Sequence, residues 1–184
     1  VYQFRFDENT GRLTPNSPAM VEPEEYLGPR HFCFHPSLDV LYFSNEQDCS
    51  VTGYRLDTAM GTLSAFQTIT TLPPEGYAER NTCSQIQISS SGKFLYVPNR
   101  GHNSIAGFSV DASGQLTGIG QVPTEAVPSA FSLDPEGKFV FAAGSASGRL
   151  ASYRIDGDSG ALTPLETYSV GARPMGVLIT SIGG

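Results

Sequence analysis

Apolar and polar residues along this chain alternate in short bursts, and each burst ends at a turn. Ile105-Ala106-Gly107-Phe108-Ser109-Val110 and Leu150-Ala151-Ser152-Tyr153-Arg154-Ile155 alternate. Phe94-Leu95-Tyr96-Val97 and Phe139-Val140-Phe141-Ala142-Ala143 are continuous apolar runs, each preceded by Gly-Lys. Alternation and short apolar runs rich in aromatic and β-branched residues predict strands, and no segment sustains the apolar period of a helix. The pattern also repeats. Phe4-Arg5-Phe6-Asp7, Tyr54-Arg55-Leu56-Asp57, Phe108-Ser109-Val110-Asp111 and Tyr153-Arg154-Ile155-Asp156 are four copies of one motif, with their Asp residues 50, 54 and 45 apart. A Gly-x-Leu-Thr/Ser turn follows each, at Gly11, Gly61, Gly114 and Gly160. A second element recurs in step: His35-Pro36-Ser37-Leu38-Asp39-Val40-Leu41-Tyr42, Ser89-Ser90-Ser91-Gly92-Lys93-Phe94-Leu95-Tyr96 and Asp134-Pro135-Glu136-Gly137-Lys138-Phe139-Val140-Phe141.

Each unit therefore reads as four short strands, A to D. They are expected at 32–34, 41–44, 52–56 and 66–70; at 86–88, 94–97, 105–110 and 118–122; and at 131–133, 139–143, 150–155 and 166–170. Four antiparallel strands per ~45–50 residues is the arithmetic of a β-propeller blade. Residues 1–6 and 19–21 read as strands C and D of an incomplete blade, and 176–179 as a lone strand A, giving fifteen strands. The expected architecture is an all-β propeller with three full blades (28–78, 79–125, 126–171) flanked by partial ones (1–27 and 172–184). A ring must close to remove its edges, so an N-terminal half or a second copy is expected to complete it.

Composition narrows the partners. Gly (20) and Pro (13) are frequent among 184 residues, as turns require, and Trp is absent, which argues against a Trp-Asp repeat. The net charge of −7, with no basic stripe, excludes nucleic acid and an anionic membrane surface as main partners. Cys33, Cys49 and Cys83 form no CxxC pair, so no zinc ribbon or redox motif is expected. No signal peptide precedes the first strand pattern, and a cytoplasmic location is the expectation.

Strand order determines which residues meet. If strands alternate in direction, the D–A and B–C connections share one end of the blades. Arg30-His31, the loop Ser44-Asn45-Glu46-Gln47-Asp48, Glu79-Arg80-Asn81 with Gln85, the loop Asn99-Arg100-Gly101-His102-Asn103, and Arg173 all fall there. With strand A innermost, these residues surround the channel mouth, where loops on a rigid scaffold carry function. Each has a structural reading too: Arg30 and His31 as blade-closing donors, Glu46 as a solvated acid, and Arg100 and His102 as supports of a tight Gly101 turn. His31 and His35 stand about 13 Å apart in a strand at ~3.3 Å per residue and cannot share a metal. His35 reads as a turn residue, Cys33 as a packed residue between blades, and Cys83 as lying near the mouth with no activating partner. Gly144-Ser145-Ala146-Ser147-Gly148 reads as a B–C loop.

Gly28-Pro29-Arg30-His31-Phe32-Cys33-Phe34-His35-Pro36, Asn45-Glu46 and Phe94-Leu95-Tyr96-Val97-Pro98-Asn99-Arg100-Gly101-His102-Asn103-Ser104-Ile105 resemble the lactonase family of seven-bladed β-propellers. That family includes propeller-type 6-phosphogluconolactonases and the carboxy-cis,cis-muconate cyclases. The resemblance spans nearly the whole chain and matches the family's C-terminal half. It implies a seven-bladed ring, a reaction without metal or cofactor, and a small anionic sugar lactone or carboxylate as substrate at the mouth. By position Arg30, His31, Glu46, Arg100 and His102 match the family's polar site motifs; with the other residues at this end of the blades, the candidates are His31, Glu46, Arg100 and His102 as catalytic, and Arg30, Asn99, Gln85 and Arg173 as substrate-binding. On that reading Glu46 or His31 deprotonates water, His102 protonates the leaving alkoxide, and Arg30 and Arg100 hold anionic groups and oxyanion charge. Two positions depart from the family: Gln85 stands where an acid is common, and Ser129 where an Arg is common. The expected activity is lactone hydrolysis. The alternatives are a lactonizing cyclase and a non-catalytic interaction scaffold.

Overall fold

The computed structural model describes residues 1–181, and among them there are fourteen strands and no helix. β1 (Tyr2–Asp7) and β2 (Arg12–Met20) form a two-stranded antiparallel sheet. Three four-stranded antiparallel sheets follow in meander order: β3 (Pro29–Phe34), β4 (Val40–Asn45), β5 (Ser50–Asp57), β6 (Thr62–Thr70); β7 (Gln87–Ile88), β8 (Phe94–Asn99), β9 (Ser104–Val110), β10 (Leu116–Pro123); and β11 (Pro128–Leu133), β12 (Phe139–Gly144), β13 (Arg149–Ile155), β14 (Leu162–Ser169). These sheets are the blades of a propeller arc.

The repeated Asp and Gly have one job, the β5–β6-type hairpin. Asp57 Oδ1 accepts the N–H groups of Ala59 and Met60 at 3.0 and 2.9 Å, and Asp111 and Asp156 repeat this with Ser113 and Ser159. The Gly114 and Gly160 N–H groups then return to the carbonyls of Asp111 and Asp156. Both glycines take positive φ, 83° and 72°, where a Cβ is disfavoured. Space forbids one as well: a Cβ at Gly160 would stand 2.3 Å from Phe94 Cδ1.

Period-two alternation fills both faces of each central strand. Val40 and Tyr42 of β4 meet Leu95 and Val97 of β8 in the core between the first and second full blades. Phe94 and Tyr96, on the other face of β8, meet Val140 and Ala142 of β12 in the next core. Leu41 and Phe43 face the two-stranded sheet with Tyr54. Packing of this kind contributes about 1.5–3 kcal/mol per fully buried large apolar side chain. Tyrosine hydroxyls stitch the blades together: Tyr42 donates to Gly114 O at 2.7 Å and Tyr96 to Gly160 O at 2.8 Å.

Three expectations are corrected. The outer strands begin earlier than the pattern implied: β6 at Thr62, β14 at Leu162, and β2 at Arg12. These strands are largely exposed, so no apolar alternation announces them. Strand A of the second full blade is only Gln87–Ile88, extended by an isolated Cys83–Asn99 bridge. Residues 176–179 form no strand, because a strand needs a partner and no described strand lies beside them; 182–184, the end of the expected final segment, lie outside the described residues.

Candidate active site at the blade ends

Arg30, at the start of β3, sits in a bulge: Pro29 pairs with Asn45 and His31 with Ser44, so Arg30 is the extra residue. Bulges re-aim side chains, and Arg30 Nε points to Glu46 Oε2 at 3.4 Å. Glu46 leaves the end of β4, and its other carboxylate oxygen forms an ion pair with Arg100 Nη2, from the equivalent position after β8. Arg100 also donates to Cys83 O at 3.0 Å. Its side chain is 20% exposed, against 35% for Arg30 and 34% for Glu46, and its Nε is buried without a protein partner. One carboxylate thus holds arginines from two blades.

His31 adjoins this cluster. Burial is the largest cause lowering its pKa below the ordinary 6.5; Arg30 and Arg100 lower it further, and Glu46 opposes them. The imidazole is therefore mostly neutral at pH 7 and able to take a proton.

His102 shares the loop of Arg100 but its ring turns elsewhere. Nδ1 lies 2.7 Å from Ser104 Oγ, and the ring meets the edge of Tyr77 at 5.0 Å. No hydrogen bond or ion pair joins it to Arg30, His31, Glu46 or Arg100.

Asn99 does not face the opening, and its expected substrate contact is corrected. It is fully buried. Its Oδ1 accepts from Thr71 Oγ1 and Asn81 Nδ2 at 2.8 and 2.9 Å, and its Nδ2 donates to Thr71 O. Gln85 Oε1 accepts the Phe131 N–H at 2.8 Å, tying two blades together. Arg173 lines a separate hollow with Ser145, Ser147 and Ser169. Cys83 is fully buried rather than at the mouth; a hydrogen bond with Cys49 and burial push its thiol pKa up. Burial pushes Cys33 up to about 12. No three His, Cys, Asp or Glu side chains converge on a metal-ligating arrangement among the described residues.

Two asparagines that the sequence places at this end of the blades without a role hold the site together. Asn81 Oδ1 accepts the N–H groups of Gly101 and His102 at 2.8 and 3.0 Å. Asn103 Oδ1 accepts the N–H of Val127 at 2.8 Å and so secures a β-branched residue at φ 56°, a conformation that costs about 1–3 kcal/mol. Their only sequence signal is Asn beside Arg or His at a strand end. The result is an open pocket of about 330 Å³ lined by Glu46, Arg80, Thr82, Arg100, Gly101 and Val127.

Comparison with known proteins identifies the family and the fold. A family model described as lactonase, 7-bladed beta-propeller, matches residues 1–179. The 6-phosphogluconolactonase of Pectobacterium carotovorum is 37% identical over 174 residues, covering 94% of this chain and 52% of that protein. That of Pectobacterium atrosepticum is 35% identical, covering 95% and 52%. The chain spans about half the length of the curated relatives it matches. Among solved structures, a Lactobacillus plantarum protein superposes with a TM-score of 0.89 at 30% identity, over 96% of this chain and 51% of that one. The periplasmic gluconolactonase of Pseudomonas aeruginosa superposes with a TM-score of 0.84 at 30% identity, over 92% and 48%.

Proposed function

The chain belongs to the lactonase family of seven-bladed β-propellers, and from that premise we propose that the protein hydrolyses the ring ester of a phosphorylated sugar lactone. The observation that carries this reading is the Arg30–Glu46–Arg100 cluster beside a neutral His31. Relatives named 6-phosphogluconolactonase support the choice of substrate.

Hydrolysis needs a proton acceptor for water, a donor for the leaving oxygen, and positive charge where the carbonyl oxygen becomes anionic. His31 takes the proton as the water oxygen bonds to the carbonyl carbon. The carbonyl π electrons move to the oxygen, whose charge is met by the exposed part of the Arg100 guanidinium, its side chain being 20% exposed. The tetrahedral intermediate collapses, the ring C–O bond breaks, and the ring oxygen takes the proton back from His31. Proton return falls to His31 because the His102 ring is engaged by Ser104 and Tyr77. Both oxygens of Glu46 are engaged by cations, so its part is to orient the two arginines.

The test is catalysed hydrolysis of 6-phosphogluconolactone by the intact protein, followed as acid release against the spontaneous rate. Turnover well above that background is expected. Background-rate hydrolysis, or loss of ultraviolet diene absorbance from a muconate instead, overturns the reading.

A further inference from the structure

We propose that Arg80 is the specificity-determining residue of this site, binding the phosphate monoester of the substrate at a distance from the reacting ester. The inference rests on the lactonase reading above and adds a residue to it.

Arg80 lies in the connection from β6 to β7, next to Asn81, and lines the same pocket as Glu46 and Arg100. Its backbone is held firmly. Asn81 is 8% exposed and bonded to Gly101, His102 and Asn99. The Arg80 carbonyl packs so tightly on Gly101 that a Cβ there would stand 2.1 Å from its oxygen. The guanidinium, in contrast, is uncommitted. Among the described residues Arg80 is exposed, and its side chain makes no hydrogen bond or ion pair. Its sequence neighbour Glu79 has its carboxylate 3.3 Å from the Tyr77 hydroxyl.

Charge accounting separates Arg80 from the other two arginines. Arg30 and Arg100 share the Glu46 carboxylate, which leaves the trio with one net positive charge, suited to a developing oxyanion. Arg80 adds a second, unshared cation to the lining of the pocket. A planar guanidinium on a fixed backbone offers the fork that matches phosphate oxygens. A dianionic phosphate at Arg80 and a ring ester near Arg100 can belong to one ligand in this shared pocket.

The test compares the intact protein with its Arg80→Ala and Arg80→Lys variants on 6-phosphogluconolactone and on gluconolactone. Arg80→Ala is expected to lower the preference for the phosphorylated lactone roughly tenfold. The loss should appear in KM rather than kcat, with Arg80→Lys restoring part of it. Inorganic phosphate should compete with the phosphorylated lactone in the wild type and lose that effect in Arg80→Ala. Equal losses on both lactones, or an unaltered preference, overturn the assignment. Binding of the product acids keeps the two proposals apart. If the wild type hydrolyses neither lactone, the lactonase reading fails. Arg80 is then supported if calorimetry shows Arg80-dependent binding of 6-phosphogluconate over gluconate, and refuted if it does not.

Discussion

Two seams of this molecule have one geometry and opposite chemistry. Between the first and second full blades, the residues after the central strands are Glu46 and Arg100, and the bulge at the start of strand A carries Arg30. At the third full blade the same positions hold Ser145 and Ser129, again with a bulge, since Pro128 pairs with Gly144 and Ala130 with Ala143. There the two serine hydroxyls simply bond to each other at 3.1 Å. The central asparagines diverge in parallel: Asn45 and Asn99 are buried and hydrogen-bonded, whereas the third copy is Gly144. The lesson is that the repeat supplies positions and individual substitutions decide which of them do chemistry.

The contrast breaks most visibly at Arg100. Arg100→Ala removes the charge facing the oxyanion and should lower kcat/KM for the lactone about a hundredfold or more, while Ser145→Ala at the equivalent position should stay within about twofold. Steady-state kinetics on the two variants checks this. Asn99→Ala comes next. It strands Thr71 and Asn81 in a dry interior, and about 3 kcal/mol of stability should be lost, read as a shift in urea midpoint. The finest distinction lies in the pH profile set by His31, and it is one of shape. Its pKa is lowered from 6.5, so the active neutral form dominates above that pH. The kcat/KM profile should fall only as pH drops below 6.5, and His31→Asn should show a low rate without that limb. A wild-type limb above 6.5 would contradict the assignment.

Much of the fold is legible in the sequence because propeller blades repeat their turn chemistry. The Asp of each Asp-to-Gly hairpin must accept the turn N–H groups, so the motif survives in all four copies. The inner and central strands are legible because burial on both faces forces apolar runs such as Phe94–Val97. The starts of the outer strands are not, because β14 is almost wholly exposed and solvent imposes no period. The site is half legible. The bulge and the B–C loops put Arg30, Glu46 and Arg100 together, as strand direction predicts. Direction along a strand does not reveal which way a loop side chain turns. Asn99 goes inward to Thr71, and His102 goes to Ser104 and Tyr77. Arg80 is visible as a residue near strand A, but nothing in its neighbours marks it as a pocket arginine without an ion-pair partner among the described residues.

The tyrosine hydroxyls that reach from Tyr42 to Gly114 and from Tyr96 to Gly160 grip the ends of the sheets remote from the opening. Both glycines sit against the cores they close, a Cβ at Gly114 standing 3.1 Å from Val40 Cγ2 and one at Gly160 2.3 Å from Phe94 Cδ1, so bulk added at the rim pushes on the central strands that lead into Glu46 and Arg100. Surveys that rank variants by distance from bound substrate would file such rim glycines as bystanders, although a single added methyl there can misalign the far end.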